Sequence, residues 1–248
     1  MFDTTQPVGT PRLMRVSGFR RYLDEAVAGN RLGRSSTRLS SLGPSLLNDL
    51  LRFERDDKGS ELLEVLAGSM RHGCNLLIHL ALGSRVIPLT VFPAAGLAHS
   101  PLPFGELAAL RLNALAVMHV EPALLAPPGP GEPVRASTTS LYGPLPLLAW
   151  ELALRGARDT LLPELAGSAA YRLTPAADLR ALALSGSLAA AAVRLRRETT
   201  NLRDIASWPG FNRERAMRLL NGLYLQAALI VSRSHPAAAG DPRRPAGG

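Results

Sequence analysis

Histidine, cysteine and glutamate are the side chains of this chain that could support catalysis, and their spacing favours no active site. His72 and Cys74 lie two residues apart, but a thiol nucleophile needs its thiolate stabilised by a protonated imidazole and a third group that orients the pair. No third group lies near them in the sequence, so we expect both to pack at a helix-to-strand junction. Glu61 and Glu64 are three apart on one predicted helix, where we expect them on a solvated face.

Metal and phosphate sites of the common kinds are missing from the sequence as well. His79, His99 and His119 would gather as metal ligands only if three strands adjoin, because they lack the close-spaced pairing of most zinc sites. The single cysteine, Cys74, excludes an internal disulfide and a cysteine-based zinc site, and it fits a reducing compartment. The glycine-rich loops that cradle phosphates do not occur. We therefore expect a protein that is not an enzyme and that uses no cofactor or metal.

Positive charge is concentrated towards the two ends of the chain. The 248 residues carry 28 Lys and Arg against 20 Asp and Glu, a formal net charge of +8. Residues 180–235 hold nine Arg against three acidic residues, and 12–38 hold seven against two, whereas 39–179 hold ten basic against thirteen acidic residues. Each phosphate that a protein neutralises releases counterions, so a phosphate-binding surface needs such a concentration. Because the near-exclusive use of Arg indicates coding bias, only the location of the charge favours an anionic partner.

The stretch 198–232 has the local pattern of a helix, a short turn and a second helix. Thr199, Thr200 and Asn201 can each cap the first helix through a side-chain oxygen, and apolar residues then recur three apart. Pro209 disfavours a helical conformation for the residue before it, so the first helix must end there. The turn 208–211, Trp-Pro-Gly-Phe, is bulky, which predicts that it packs against another part of the protein.

Asn212 caps the second helix in the same way. Apolar residues recur at three- and four-residue spacing across 216–223, and this stripe predicts one buried face. Residues 224–231 then shift towards strand-forming types, as a β-hairpin wing or an edge strand requires. The polar residues predicted to lie largely outside the apolar stripe are Arg213, Glu214, Arg218 and Asn221.

These residues resemble the winged helix-turn-helix family. Residues 202–206 look like its first motif helix, 212–223 like its recognition helix and 184–197 like its supporting helix. The resemblance implies a DNA-binding protein that places the second motif helix in the major groove, with base contacts from the exposed N-terminal half of that helix. Arginines would contact phosphate or guanine, and asparagine would contact adenine or phosphate. The DNA contacts that the resemblance implies are Arg203, Arg213, Arg215, Arg218 and Asn221.

Winged helices also serve as protein-interaction or dimerisation modules, and this alternative uses the same second helix. The helix would then pack on a partner protein or on a second copy of the chain, with Trp208, Phe211 and Tyr224 as anchors. No clear second wing strand follows residue 232. A DNA reader needs the Arg213 face exposed, whereas an adaptor could bury it.

The upstream elements are predicted to form a mixed α+β region over 12–125, after a flexible lead at 1–11. Amphipathic spacing predicts a helix over 19–28, and Pro44 and Ser60 open two further helices.

Strand-like segments follow these helices. Segments 74–82 and 86–92 predict a hairpin, in which Pro88 indicates an edge position or a bulge. A helix is predicted over 104–110 and a third strand over 115–120. This order of helix, strand, strand, helix and strand is similar to the small roadblock-type modules, a resemblance that implies binding and regulation of small GTPases.

Proline and glycine favour an extended connector over 126–140, either a linker between two domains or a long loop. The tail 236–248 is predicted to be disordered, because its Pro, Gly and Ala bury too little apolar area to offset chain entropy. The region between them, 141–235, is predicted to be mostly helical and to end in the winged-helix-like module of about 184–233. The helices predicted upstream of that module are 145–155, 163–170 and 176–184.

Together these features predict an α+β fold, in which a mixed helix and short-sheet region is followed by a mostly helical region ending in a winged-helix-like module. The N-terminus lacks the segments of a signal peptide, and no apolar run reaches the roughly 18 residues of a membrane span. We expect a cytoplasmic, bacterial, non-enzymatic regulator that binds DNA and no membrane. The alternative is a protein-interaction adaptor, such as a regulator of a small GTPase or another signalling protein, and a homodimer is compatible with both.

Overall fold

The structure is a computed structural model. It describes residues 13–30, 44–46, 62–129 and 141–239. Residues 44–46 are helical, as the start predicted at Pro44 requires. The predictions that lie outside the described residues are the lead at 1–11, the rest of the helix opened by Pro44, most of the connector at 126–140 and the tail from 240 onward.

Five antiparallel strands form the larger sheet. The predicted hairpin is confirmed as β1 (Leu76–Leu82) and β2 (Arg85–Phe92), and helix α2 (Leu62–His72) precedes it. The further elements of this region are α1 (Val16–Asn30), β3 (Leu97–His99), α3 (Phe104–Ala109), β4 (Ala116–Pro122) and β5 (Tyr142–Pro144). Across the sheet the strand order is β4-β1-β2-β3-β5. The helix and strand predicted at 104–110 and 115–120 are confirmed, whereas β3 and β5 were not predicted, because strands of three residues leave little periodicity to detect.

One face of this sheet carries hydrophobic core. Leu76, Ile78 and Leu80 alternate along β1 and are fully buried, as expected when every second side chain of a strand points to the core. The opposite face carries His79, and the buried Phe19 of α1 packs on it with 4.5 Å between ring centroids. The predicted amphipathic helix at 19–28 is therefore confirmed, and it begins three residues earlier.

Among the described strands only β1 pairs with β2 at Pro88, so the edge position predicted for this residue holds locally, although β2 becomes an inner strand over 90–92. β2 pairs with β1 along its length and with β3 only over 90–92. The N–H of Val86 donates to the Met14 carbonyl on the outer side of β2, and backbone groups two residues apart on a strand point the same way. The nitrogen of Pro88 therefore faces the outer side of β2 at a place where β3 does not pair with it, so no hydrogen bond to β3 is lost there.

A smaller sheet of three strands organises the C-terminal part. Its order is β7-β6-β8, with β6 (Ala170–Leu173) in the middle, and both neighbours run antiparallel to it. The helix predicted over 163–170 is wrong, because this segment is a turn that leads into β6, and 176–184 holds only the 3₁₀ turn Arg180–Leu182. The other elements are α5 (Gly186–Arg197), β7 (Thr200–Asn201), α6 (Leu202–Ala206), α7 (Arg213–Leu225) and β8 (Leu229–Ser232).

Helix α4 (Leu145–Arg155) connects the two sheets. It matches the predicted helix at 145–155, and it packs against both β3 and α7. One hydrophobic cluster extends from α2 and the larger sheet through α4 to α7. The helices and antiparallel sheets make an α+β fold, as predicted. No helix within the described residues has the length and apolarity needed to cross a membrane.

Candidate nucleic-acid interface

Two asparagine caps fix the helices of the candidate site. The Oδ1 atom of Asn201 accepts a hydrogen bond from the Asp204 N–H at 2.9 Å, at the start of α6. Asn212 accepts one from the Arg215 N–H at 2.7 Å, at the start of α7. Each such cap contributes about 1 kcal/mol. The predicted helix, turn and second helix are confirmed, and α7 ends two residues later than predicted.

Aromatic and guanidinium groups form a row along the turn between α6 and α7. The Arg194 guanidinium lies 4.6 Å from the centre of the Trp208 ring, and Trp208 meets Phe211 edge-on at 6.3 Å. The Arg215 guanidinium lies 5.5 Å from the Phe211 ring. Trp208 is buried, which confirms that the bulky turn packs within the chain. Of the three aromatic anchors suggested by the sequence, only Phe211 and Tyr224 retain partial exposure.

The first turn of α7 is exposed and positively charged. Arg213 and Arg215 are both exposed. Within the described part of the chain, neither guanidinium donates a hydrogen bond or pairs with a carboxylate. Arg203 at the start of α6 is exposed in the same way, and it too has no ion-pair partner there. Three of the five sequence-derived DNA contacts therefore keep guanidinium groups available to a ligand.

Arg218 is occupied within the protein. Its Nε atom donates to Glu214 at 2.9 Å, and its Nη1 atom donates to the carbonyls of Leu154 and Gly156 at 3.2 and 2.9 Å. Only 17% of its side chain is exposed. These carbonyls close the C-terminal end of α4, where a cation is favoured by the helix dipole. Arg218 thus fastens α7 to α4.

Asn221 is fully buried, so the prediction that it lies outside the apolar stripe is wrong. Its Oδ1 accepts from the Leu162 N–H at 2.9 Å, and its Nδ2 donates to the Thr160 carbonyl at 2.8 Å. Leu162 is buried, so its backbone N–H needs a partner within the protein, and Asn221 supplies it. Next to it, Gly222 lets Trp150 of α4 approach so closely that a Cβ atom would lie 2.7 Å from the indole ring.

The histidines and the cysteine do not form a site. His79 and His119 are cross-strand neighbours with ring centroids 5.9 Å apart, but His99 lies on β3 and packs on Tyr142 instead. Burial lowers the pKa of His79, an effect that Glu121 opposes and His119 reinforces. The Cys74 thiol contacts the main-chain carbonyl of His72. Within the described residues, no three His, Cys, Asp or Glu side chains are placed to hold a metal ion.

Sequence reasoning missed Arg155, which α4 brings to the cleft beside the first turn of α7. No local pattern marks this residue, since its position depends on the packing of α4 against α7. No protein-family model matches the chain, and comparison with curated proteins and with solved structures gives no significant match. The function proposed below rests on the geometry of this chain.

Proposed function

We propose that this is a non-enzymatic regulatory protein that binds duplex DNA through the phosphate backbone, using Arg203, Arg213 and Arg215. The observation that carries the proposal is the first turn of α7, where two exposed guanidinium groups have no hydrogen-bond acceptor among the described residues. Arginine is well suited to phosphate because its planar fork donates two parallel hydrogen bonds.

The order of elements supports a winged-helix-like module as the carrier of these arginines. α5, β7, α6, α7 and β8 follow one another as supporting helix, short strand, two motif helices and a strand. The wing hairpin itself is replaced, since β8 pairs with β6 from upstream rather than with a strand that follows it. A wing that reaches a groove is therefore not part of the proposal.

The packing of α4 supports phosphate contacts rather than base reading by α7. A recognition helix reads bases with one face along about two turns. On α7 Glu214, Arg218 and Asn221 share one face at four- and three-residue spacing, and the last two bind segments of the chain itself. We therefore expect affinity that depends steeply on salt and little on sequence, because phosphate contacts carry no base information directly.

A protein-interaction adaptor is the second candidate, and one observation favours it. A cleft of about 800 Å³ lies between α5 and the segment 176–184, with largely apolar lining. Val193 at its side is 50% exposed. If a second copy docks there, sedimentation should show a dimer that Val193→Asp converts to monomer, whereas a monomeric wild type across the concentration range would exclude self-association.

Fluorescence anisotropy tests DNA binding directly. Two labelled duplexes of unrelated sequence are titrated with the full chain at several salt concentrations, beside a triple variant of Arg203, Arg213 and Arg215 to alanine. We expect similar affinities for the two duplexes, a steep loss with salt, and a loss of binding in the variant. A plot of the logarithm of the association constant against the logarithm of the salt concentration has a negative slope. Each lost phosphate contact should reduce the magnitude of that slope by about 0.9.

Arg180 provides the matched control. It is exposed, but it already forms an ion pair with Asp178 at 2.7 Å, so Arg180→Ala should leave the slope unchanged. No binding by the wild type at about 50 mM salt, where phosphate contacts are strong, would exclude the proposal. A preference of more than tenfold for one duplex would contradict the phosphate-only mode.

A further inference from the structure

A cleft of about 630 Å³ lies next to the first turn of α7. One side is formed by the 3₁₀ turn Leu112–Ala114 and the C-terminal end of α4, and the other by the starts of α5 and α7. Sites that bind ligands commonly enclose about 300–1,000 Å³. The cleft therefore lies between the upstream part of the chain and the C-terminal module, and its volume is large enough for a ligand group.

Three guanidinium groups line this cleft, and they differ in how far the protein already uses them. Arg218 is held by carbonyls and by Glu214, the one carboxylate of the lining. Among the described residues, the Arg215 guanidinium has no hydrogen-bond or ion-pair partner and lies over the face of the Phe211 ring. Of the three cations of the cleft, Arg218 is neutralised by Glu214 and Arg215 is not neutralised. The third cation is Arg155, whose contacts are intermediate between these two.

One of the three guanidinium nitrogens of Arg155 already donates hydrogen bonds within the protein. Its Nη1 atom donates to the Ala108 carbonyl at 3.2 Å and to Glu151 at 3.1 Å. Its Nε and Nη2 atoms donate no hydrogen bond within the described residues, and 49% of its side chain is exposed. An exposed i,i+4 pair of this kind contributes only about 0.3–0.5 kcal/mol, so an anion in the cleft can compete with Glu151 for Arg155.

We propose that this cleft binds a phosphodiester group of the same duplex, so that Arg155 and Asn113 extend the nucleic-acid interface into the upstream part of the chain. The inference rests on the proposed function, because Arg215 belongs both to the exposed first turn and to the lining of the cleft. Each strand of a duplex carries a phosphate about every 3.4 Å along the axis. A strand held at Arg215 therefore brings further phosphates to the opening, where Asn113 offers an amide donor and Arg155 offers the N–H groups of its Nε and Nη2 atoms.

The second cleft, between α5 and 176–184, shows what distinguishes the first. Its lining is mostly Ala and Leu, and its Arg180 binds both carboxylate oxygens of Asp178. That hydrogen bonding lowers the pKa of Asp178 to about 2. Arg196, the other cation of this lining, donates to the Ala177 carbonyl. The second cleft therefore has two guanidinium groups against one carboxylate, whereas the cleft beside α7 has three against one.

Two isosteric charge changes test the proposal by the anisotropy titration described above. Glu151→Gln removes the carboxylate that competes for Arg155, and we expect about a twofold gain in affinity at 50 mM salt. Asn113→Asp places a negative charge in the cleft on an exposed residue, and we expect the affinity to fall at least threefold. A purely structural role for Arg155 predicts no gain from Glu151→Gln.

Matched controls make the same charge changes elsewhere. Glu25→Gln on α1 and Asn75→Asp before β1 alter exposed residues that do not line the cleft, and both should bind as the wild type does. If Glu151→Gln and Asn113→Asp merely match these controls while the triple variant of Arg203, Arg213 and Arg215 loses binding, the cleft proposal is overturned and the proposed function stands. If the wild type itself fails to bind duplex, the proposed function is overturned and the cleft proposal with it.

Discussion

The first turn of α7 and the rest of the helix differ in exposure and in their contacts within the protein. Arg213, Glu214 and Arg215 are exposed, whereas Leu219 to Leu223 are all buried, including the polar Asn221. The difference arises because α4 and the loop 156–162 cover the helix from Arg218 onward. The first turn of α7 is thus available to a ligand, whereas the part from Arg218 to Leu225, here called the body of α7, packs within the protein. Polar residues of the two parts therefore have different roles.

The body of α7 serves as the junction of several segments. Asn221 binds the loop at Thr160 and Leu162, and Arg158 of the same loop forms an ion pair with Glu64 on α2. Substitutions in the body should therefore lower the free energy of unfolding, whereas those in the first turn should affect binding alone.

Asn221→Leu should have the largest effect. The substitution keeps the branched shape of the side chain but leaves the buried Leu162 N–H without its partner and removes one of the two donors to the Thr160 carbonyl, which should cost about 1–3 kcal/mol. Urea unfolding followed by circular dichroism measures the loss. Asn75→Leu, at an exposed position, is the control and should change stability by less than about 0.5 kcal/mol. A loss below about 1 kcal/mol at Asn221 would mean that water replaces its hydrogen bonds.

Gly222→Ala should be the next most damaging change. The added Cβ would lie 2.7 Å from the Trp150 ring, and overpacking of this kind costs about 1–3 kcal/mol, offset by about 1 kcal/mol of better helix propensity. We expect a net loss of up to about 2 kcal/mol in the same unfolding experiment. Gly105→Ala in α3 is the matched control, because no atom lies within 4 Å of its Cβ position. An equal effect at both glycines would rule out the close contact as the cause.

Arg218→Ala separates the body from the first turn most directly. Its loss removes two hydrogen bonds to the end of α4, and for a side chain that is partly exposed we expect about 1–2 kcal/mol of destabilisation. Arg218→Lys should not restore stability fully, because an ammonium group lacks the guanidinium fork. Unchanged stability in Arg218→Ala would mean that Arg218 does not help to hold α7 in the protein, and that the body of α7 begins at a later residue.

Arg213→Ala should have the smallest effect on stability, within about 0.5 kcal/mol, because the residue is exposed and unpaired among the described residues. Its effect should instead show in DNA binding, as a decrease of about 0.9 in the salt slope. Measuring unfolding and anisotropy on the same preparation compares the two readouts. A variant that loses stability but retains its salt slope would reverse the roles assigned to the two parts of α7.

Local signals in the sequence predicted the helices of the candidate site well. Asn201 and Asn212 act as caps through hydrogen bonds to residues three positions ahead, and Pro209 lies in the turn between the helices. The positions of α4, β1 and β2 followed from apolar runs and a short turn in the same way. Such features depend on neighbours within a few residues, so a single sequence contains them.

The errors concern features that depend on distant partners. β6 was not predicted, since the predicted helix ended at Ala170 and no element was assigned to 171–173. Tyr171 and Leu173 are buried beside exposed Arg172 because β7 and β8 pair with this strand. Asn221 looked like a surface residue, since nothing near it in the sequence indicates that the loop at 160–162 needs its amide. Arg155 and Asn113 came to the cleft through the packing of α4, which the sequence pattern does not contain.

The central position of β6 has a consequence for the synthesis of the protein on the ribosome. β6 is synthesised before either of its partner strands, and its pairing of Ala170 with Ser232 must wait until β8 has been made. Contacts between residues far apart in sequence form slowly, and an unpaired strand is exposed to aggregation during the delay. The order of translation thus makes β8 the last piece of the smaller sheet, so a ribosome that stalls within α7 would release a chain whose C-terminal sheet cannot close.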